Sequence, residues 1–136
     1  MNIALMAQDG KKELMVQFCI AYCGILAGHN LCATATTGRL VSEATGLPIT
    51  LYLSTAQGGS QQIGARIAYN EIDLVLYFCD PSGHEDTTPV NEICRLCDQY
   101  SIPFASNAAT AEVLIQGLRE GYMDWRDIVN PKTKRR

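Results

Sequence analysis

With 136 residues, 47% of them hydrophobic and 18% charged, the chain has the size and make-up of one globular domain with a real core. A net charge of −3 excludes the overall basic footprint of a nucleic-acid binder. No apolar run approaches the roughly 20 residues that a membrane span requires.

The chain opens with a strand-length apolar run, Asn2 to Ala7, of the continuous kind expected for a strand buried on both faces of a parallel sheet. This start reads as a strand and no secretory signal is expected, since Lys11, Lys12 and Glu13 follow in the first helix. The six cysteines are therefore expected as reduced thiols in a cytoplasm. Asp9 stands where a helix N-cap would, and Leu14, Phe18, Tyr22 and Ile25 give helical spacing over 11–26, until Gly28.

Leu31, Cys32 and Ala33 read as the second strand, followed by the hydroxyl-rich turn Thr34-Ala35-Thr36-Thr37-Gly38 and a short helix over 39–44. A strand, a hydroxyl turn and a helix start gather N–H and O–H groups around one point, where the helix dipole favours an anion such as phosphate. Threonines at a helix start also cap helices without binding anything. Ile49 to Leu53 is β-branched and aromatic, a third strand. The turn Ser54 to Ser60 leads into a helix over 61–69.

Ile72 to Cys79 is the most apolar strand, ended by Asp80-Pro81. The polar loop 82–88 holds His84, Glu85 and Asp86, and Pro89 starts a helix over 90–100. Within that helix Cys94 and Cys97 form a C-x-x-C with no matching His or Cys pair, so they are expected as buried apolar residues, as are Cys19 and Cys23. Ile102 to Ala105 makes a last strand, Asn107 and Thr110 open a helix over 111–119, and 124–129 is a short closing element. Lys132, Lys134, Arg135 and Arg136 form a basic tail from about Pro131, expected as a solvated end.

The alternation predicts a single doubly wound α/β domain over 1–136, with three αβα layers and about five parallel strands. Ligands of such sheets sit beyond the carboxyl ends of the strands. Asp9, Thr34 to Thr37, Ser54 to Ser60, Asp80 and Asn107 all follow a strand and are expected along that one edge.

Taken together, these strand-end motifs resemble the methylglyoxal synthase family over nearly the whole chain. The match is carried by Ile3-Ala4-Leu5-Met6-Ala7-Gln8-Asp9, Ala33-Thr34-Ala35-Thr36-Thr37-Gly38 and Gly58-Gly59-Ser60-Gln61-Gln62-Ile63-Gly64-Ala65. Ile72-Asp73-Leu74, Asp80-Pro81, Ile102-Pro103, Asn107, Ala109-Thr110-Ala111 and Asp124-Trp125-Arg126 extend it. The resemblance implies a homohexamer and a fold shared with the regulatory domain of carbamoyl phosphate synthetase. It also implies conversion of dihydroxyacetone phosphate to methylglyoxal and phosphate without metal or organic cofactor.

Carried over position by position, the resemblance divides. Its phosphate cradle falls on Lys12, Thr34, Thr36, Thr37 and Ser54, and its aspartates at the mouth of the site fall on Asp9 and Asp80. Ala35 and Thr55 stand where the family has glycines. The family's general base falls on Ser60, whose alcohol has far too high a pKa to serve near pH 7 without an activating neighbour. The histidine preceding the first aspartate falls on Gln8. The second histidine falls on Thr87 and a further aspartate on Val90, with His84 and Asp86 able to substitute only through a register shift.

This pattern implies a methylglyoxal synthase homologue that binds phosphate or a small phosphorylated metabolite with weak or no turnover, as a sensor or mixed with an active paralogue. The alternative is a working lyase in which Asp9 or Asp80 removes the proton and His84 supplies acid. A further alternative is action on another phosphate ester.

Overall fold

The computed structural model describes residues 1–129, and the basic tail lies outside them. Five parallel strands form one sheet in the order β3-β2-β1-β4-β5. They are β1 (Asn2–Ala7), β2 (Asn30–Ala33), β3 (Ile49–Leu51), β4 (Leu74–Phe78) and β5 (Phe104–Ala105). β1 and β4 are buried along their whole length, which is why their sequences run apolar without alternation. The order reverses between β1 and β4: β1 pairs Ile3 with Leu31 on one side and with Leu74 on the other.

Helices cover both faces. On one, α1 (Lys12–Ala21), α2 (Cys23–Leu26), α3 (Ala35–Thr45) and α6 (Ala108–Arg119) pack Met15, Phe18, Leu26, Val41 and Ile115 onto Ile3, Leu5, Leu76 and Phe78. On the other, α4 (Gly59–Ala68) and α5 (Thr88–Tyr100) pack Ile63, Ile67, Val90 and Ile93 onto Ala4, Met6, Val75 and Tyr77. Alternate residues of each strand serve opposite layers, so the three-layer αβα fold follows from the strand pleat.

Several boundaries differ from the sequence expectation: β3, β4 and β5 are shorter than their apolar runs, α4 and α6 start earlier, at Gly59 and Ala108, and three further differences show what decides. The first helix is interrupted at Tyr22, where φ is −108° and ψ is 22°, just before the weak helix former Gly24. α3 begins at Ala35, four residues early, although Thr36, Thr37 and Gly38 are poor helix formers. Packing decides there: a Cβ on Gly38 would lie 2.3 Å from a Leu51 methyl and 3.0 Å from the Ala33 Cβ, so the bare turn lets α3 sit tightly on β2 and β3. α5 starts at Thr88 with Pro89 in its first turn.

The short helix α7 (Trp125–Val129) closes the edge of the sheet where the strands begin. Its Arg126 donates from Nε to Asp73 Oδ1 at 3.1 Å, both side chains being 0% exposed. The same guanidinium donates to the carbonyls of Ser101 and Ile72 at 3.1 and 3.3 Å. Asp73 Oδ2 in turn accepts from the Asn2 backbone N–H at 2.8 Å. One buried charge pair thus ties α7 to the entries of β1 and β4.

Candidate functional site

The strand ends of β1, β2 and β3 and the loop after β4 enclose a cavity of about 580 Å³. Its lining includes Asp9, Lys12, Thr34, Thr36, Ser54 and Thr55. These six come from three successive strand ends, in agreement with the rule for open α/β sheets.

Each element presents its side chain for a local reason. Thr34 occupies the N-cap position of α3 with an extended backbone (φ −67°, ψ 154°), yet its side chain makes no capping hydrogen bond. Ser54 precedes a 3-10 turn over Thr55–Gln57, again without a side-chain cap. Asn107 shows the contrast, because its Oδ1 accepts from the Thr110 N–H at 2.9 Å in an ordinary cap. The hydroxyls of Thr34 and Ser54 are thus not spent on their own helices and remain available to the cavity. Lys12 Nζ donates to the Ala7 carbonyl and lies 3.4 Å from Asp9 Oδ1, which fixes the ammonium at the end of β1.

Two glycines make the corner after β3. Gly58 has φ +103°, in the region that side chains avoid. A Cβ on Gly59 would fall 1.8 Å from the Leu53 carbonyl oxygen. The chain turns so tightly there that α4 starts directly under the end of β3.

The remaining site residues separate from this wall. Ser60 lies in the first turn of α4, is 3% exposed and donates its hydroxyl to Gln61 Oε1 at 3.2 Å. It does not line the cavity; Gln61 does. Thr37 is buried with its hydroxyl unpaired in the protein, and the Ala35 N–H donates to the Leu53 carbonyl at 3.3 Å. Both stand behind the wall. Thr87 is exposed at the start of α5, and its hydroxyl accepts from Asn91 Nδ2 at 3.5 Å. Val90 points into the core.

Gln8, Asp80 and His84 gather instead around a neighbouring cavity of about 280 Å³. Gln8 is buried; its Oε1 accepts from the Asp80 N–H at 2.6 Å while its own backbone N–H donates to the Phe78 carbonyl. It therefore stitches the ends of β1 and β4 together. Asp80 Oδ1 accepts from the Ser82 N–H at 3.0 Å, a turn-forming bond.

Glu85, Asp86 and Glu92 supply a further wall of the main cavity; sequence reasoning admitted Asp86 only through a register shift and missed Glu85 and Glu92. Glu85 Oε1 accepts from the Asp9 N–H at 2.9 Å, so this loop is pinned across the end of β1. Glu85 borders both cavities. Burial pushes the Tyr77 hydroxyl up to about 12, and the negative charge of Glu85 adds to this. Asp86 accepts from the Thr88 N–H at 3.0 Å, and the backbone and hydroxyl bonds from Thr88 hold its carboxyl below the usual range. The sequence signal for this wall was three acids in the loop and first helical turns that follow the β4 strand.

The cavity accordingly has two kinds of lining. Lys12, the hydroxyls and the start of α3 form a wall suited to an anion. The loop after β4 and α5 form a wall of carboxylates suited to taking a proton. No thiol joins either wall: burial pushes Cys19 and Cys97 up to about 12 and Cys32 up to about 11. Cys23 and Cys94 are half-buried. Among the described residues no three His, Cys, Asp or Glu side chains converge as a metal site would need, and no helix is long and apolar enough to cross a membrane.

Residues 15–106 match the family model of the MGS-like domain. A chain named methylglyoxal synthase from Caldicellulosiruptor saccharolyticus is 56% identical over 136 residues, covering 99% of this chain and 96% of that one. One of the same name from Lysinibacillus sphaericus is 53% identical over 127 residues, covering 93% and 95%. The crystal structure of methylglyoxal synthase from Elizabethkingia anophelis NUHP1 superposes with a TM-score of 0.79 at 37% identity, covering 84% of this chain and 76% of that one.

Proposed function

The chain belongs to the MGS-like family, and from that premise we propose that it is a carbon–oxygen lyase converting dihydroxyacetone phosphate to methylglyoxal and phosphate. The observation that carries this reading is a single cavity lined by Lys12, Thr34, Thr36, Ser54 and Thr55 from the ends of β1, β2 and β3 and by Glu85, Asp86 and Glu92 from the loop after β4 and from α5. A phosphorylated hydroxyketone has the same polarity. Its dianion needs a cation, hydroxyl donors and a helix start, while its hydroxyl-bearing carbon needs a base. The four lining carboxylates (Asp9 and those three) outnumber the single ammonium, so the phosphate has one favourable end and the substrate one orientation.

This departs from the division of labour in which Asp9 or Asp80 is base and His84 acid. His84 and Asp80 border the neighbouring cavity instead. The experiment is release of methylglyoxal by the purified chain supplied with dihydroxyacetone phosphate. Turnover on the order of 1–10³ s⁻¹ is the expected result.

A second reading is favoured by Ser60, whose hydroxyl is directed at Gln61 and not at the cavity. In it the chain holds phosphate or a phosphorylated metabolite and turns it over weakly or not at all, alone or mixed with an active paralogue. A silent unmodified chain together with an active Ser60→Asp variant is its signature.

We further propose a cytoplasmic homohexamer. Exposed apolar side chains, among them Leu14, Ile20, Leu40, Val113, Tyr122 and Ile128, support self-association. Light scattering of the eluting protein tests it, a monomer being the refuting result.

A further inference from the structure

We propose that Glu85 is the general base of this cavity, doing from the loop after β4 what the serine at position 60 cannot. The inference rests on the lyase reading above and names the group that performs its first step.

Four carboxylates border the cavity, and their surroundings separate them. Asp9 is the ion-pair partner of the Lys12 ammonium at 3.4 Å, so its carboxylate is spent on positioning the cation of the anion wall. Asp86 accepts from the Thr88 N–H in the turn that leads into α5, which weakens it as a proton acceptor. Glu92 lies a turn into α5, exposed like Glu85, but no hydrogen bond among the described residues holds its carboxylate in place. Glu85 has one oxygen fixed at 2.9 Å by the Asp9 N–H and stands over the end of β1, at the reversal of the strand order. A carboxylate held by one oxygen keeps its second oxygen for the substrate. Ligands of such sheets bind over that same reversal point.

The step balances without any further reagent. The Glu85 carboxylate takes the proton from the hydroxyl-bearing carbon. The C–H electron pair becomes a carbon–carbon double bond, and the carbonyl pair moves onto oxygen as an enediolate. The neighbouring hydroxyl then gives up its proton as its oxygen forms a carbonyl. The double bond shifts, and the carbon–oxygen bond to phosphate breaks with its pair leaving on phosphate, which keeps the hydroxyl proton. Glu85 returns the carbon-bound proton to the terminal methylene, completing the methyl group of methylglyoxal.

The test compares the unmodified chain with Glu85→Gln, which retains an oxygen to accept from the Asp9 N–H, and with Glu85→Asp, which retains the carboxylate. Methylglyoxal release and calorimetric binding of inorganic phosphate are both measured. The expected result is a kcat lowered about 10²- to 10⁴-fold in Glu85→Gln, with partial recovery in Glu85→Asp and phosphate affinity within about threefold of the unmodified chain. Glu85→Gln turning over within about threefold of an active unmodified chain overturns the assignment and leaves the lyase reading standing. An unmodified chain that binds phosphate and releases no methylglyoxal overturns both.

Discussion

Replacing Arg126 with methionine tests the clasp at the sheet edge farthest from the cavity. The substitution keeps the length of the stem and deletes a guanidinium that is 0% exposed. Asp73 is then left as a buried carboxylate that still accepts from the Asn2 N–H, and the carbonyls of Ser101 and Ile72 lose the guanidinium as donor. Removing one partner of a buried ion pair costs about 3–5 kcal/mol, because the surviving charge stays desolvated. For a chain of this length the unfolding entropy is about 0.3 kcal/mol per degree, so a loss near 4 kcal/mol lowers the midpoint by about 13 °C. Calorimetry or thermal circular dichroism at fixed protomer concentration reads the shift. The double variant Arg126→Met/Asp73→Asn should recover part of the loss, since it removes the stranded charge. A midpoint lowered by less than about 3 °C, or strict additivity of the two substitutions, would refute the clasp. Below the transition the rate per folded molecule should be unchanged.

Other outcomes follow from the cavity and the core. Lys12→Met and Thr34→Val should each weaken phosphate binding by at least about tenfold, and phosphate at 100 times its Kd should stabilise the unmodified chain by about 2.7 kcal/mol. Thermal-shift titration measures both. Gly59→Ala forces a methyl against the Leu53 carbonyl and should cost about 3 kcal/mol in denaturant unfolding. His29 is held below its ordinary value of 6.5, first by burial and then by the N-terminal ammonium, which donates to its Nδ1 at 2.9 Å. The unfolded chain therefore takes up a proton that the folded chain refuses, so stability falls as pH drops through 6.5 toward the lower folded value and is unaffected above it. The difference in denaturation midpoint between the unmodified chain and His29→Gln, taken at pH 7.5 and 5.5, isolates that slope.

How far the sequence reveals all this depends on what each residue answers to. Asn2 to Ala7 reads correctly because a strand buried on both faces leaves an unbroken apolar run. Thr34, Thr36 and Ser54 can be placed at one edge because the topology of a doubly wound sheet puts every strand end there. The start of α3 is hidden, since Gly38 is a poor helix former and an ideal packing surface, and only the three-dimensional contact with Leu51 decides. The destination of the loop after β4 is hidden as well. No periodicity says that His84 turns toward Asp80 while Asp86 turns toward Lys12 and the threonines. The burial of Ser60 is equally invisible, because a first-turn serine reads the same whether it faces solvent, a ligand or the adjacent glutamine.

The strand order has a consequence for synthesis. β1 emerges first from the ribosome, yet one of its two ladders waits for residues 74–78. At about 5–20 residues per second that interval is roughly 4–14 s. Over that time a bare hydrophobic edge is exposed on the nascent polypeptide, open to chaperones or to pairing with a neighbouring copy. Half of the cavity, the part built on β4, cannot exist before this insertion, so no truncated product ending before it should retain the pocket.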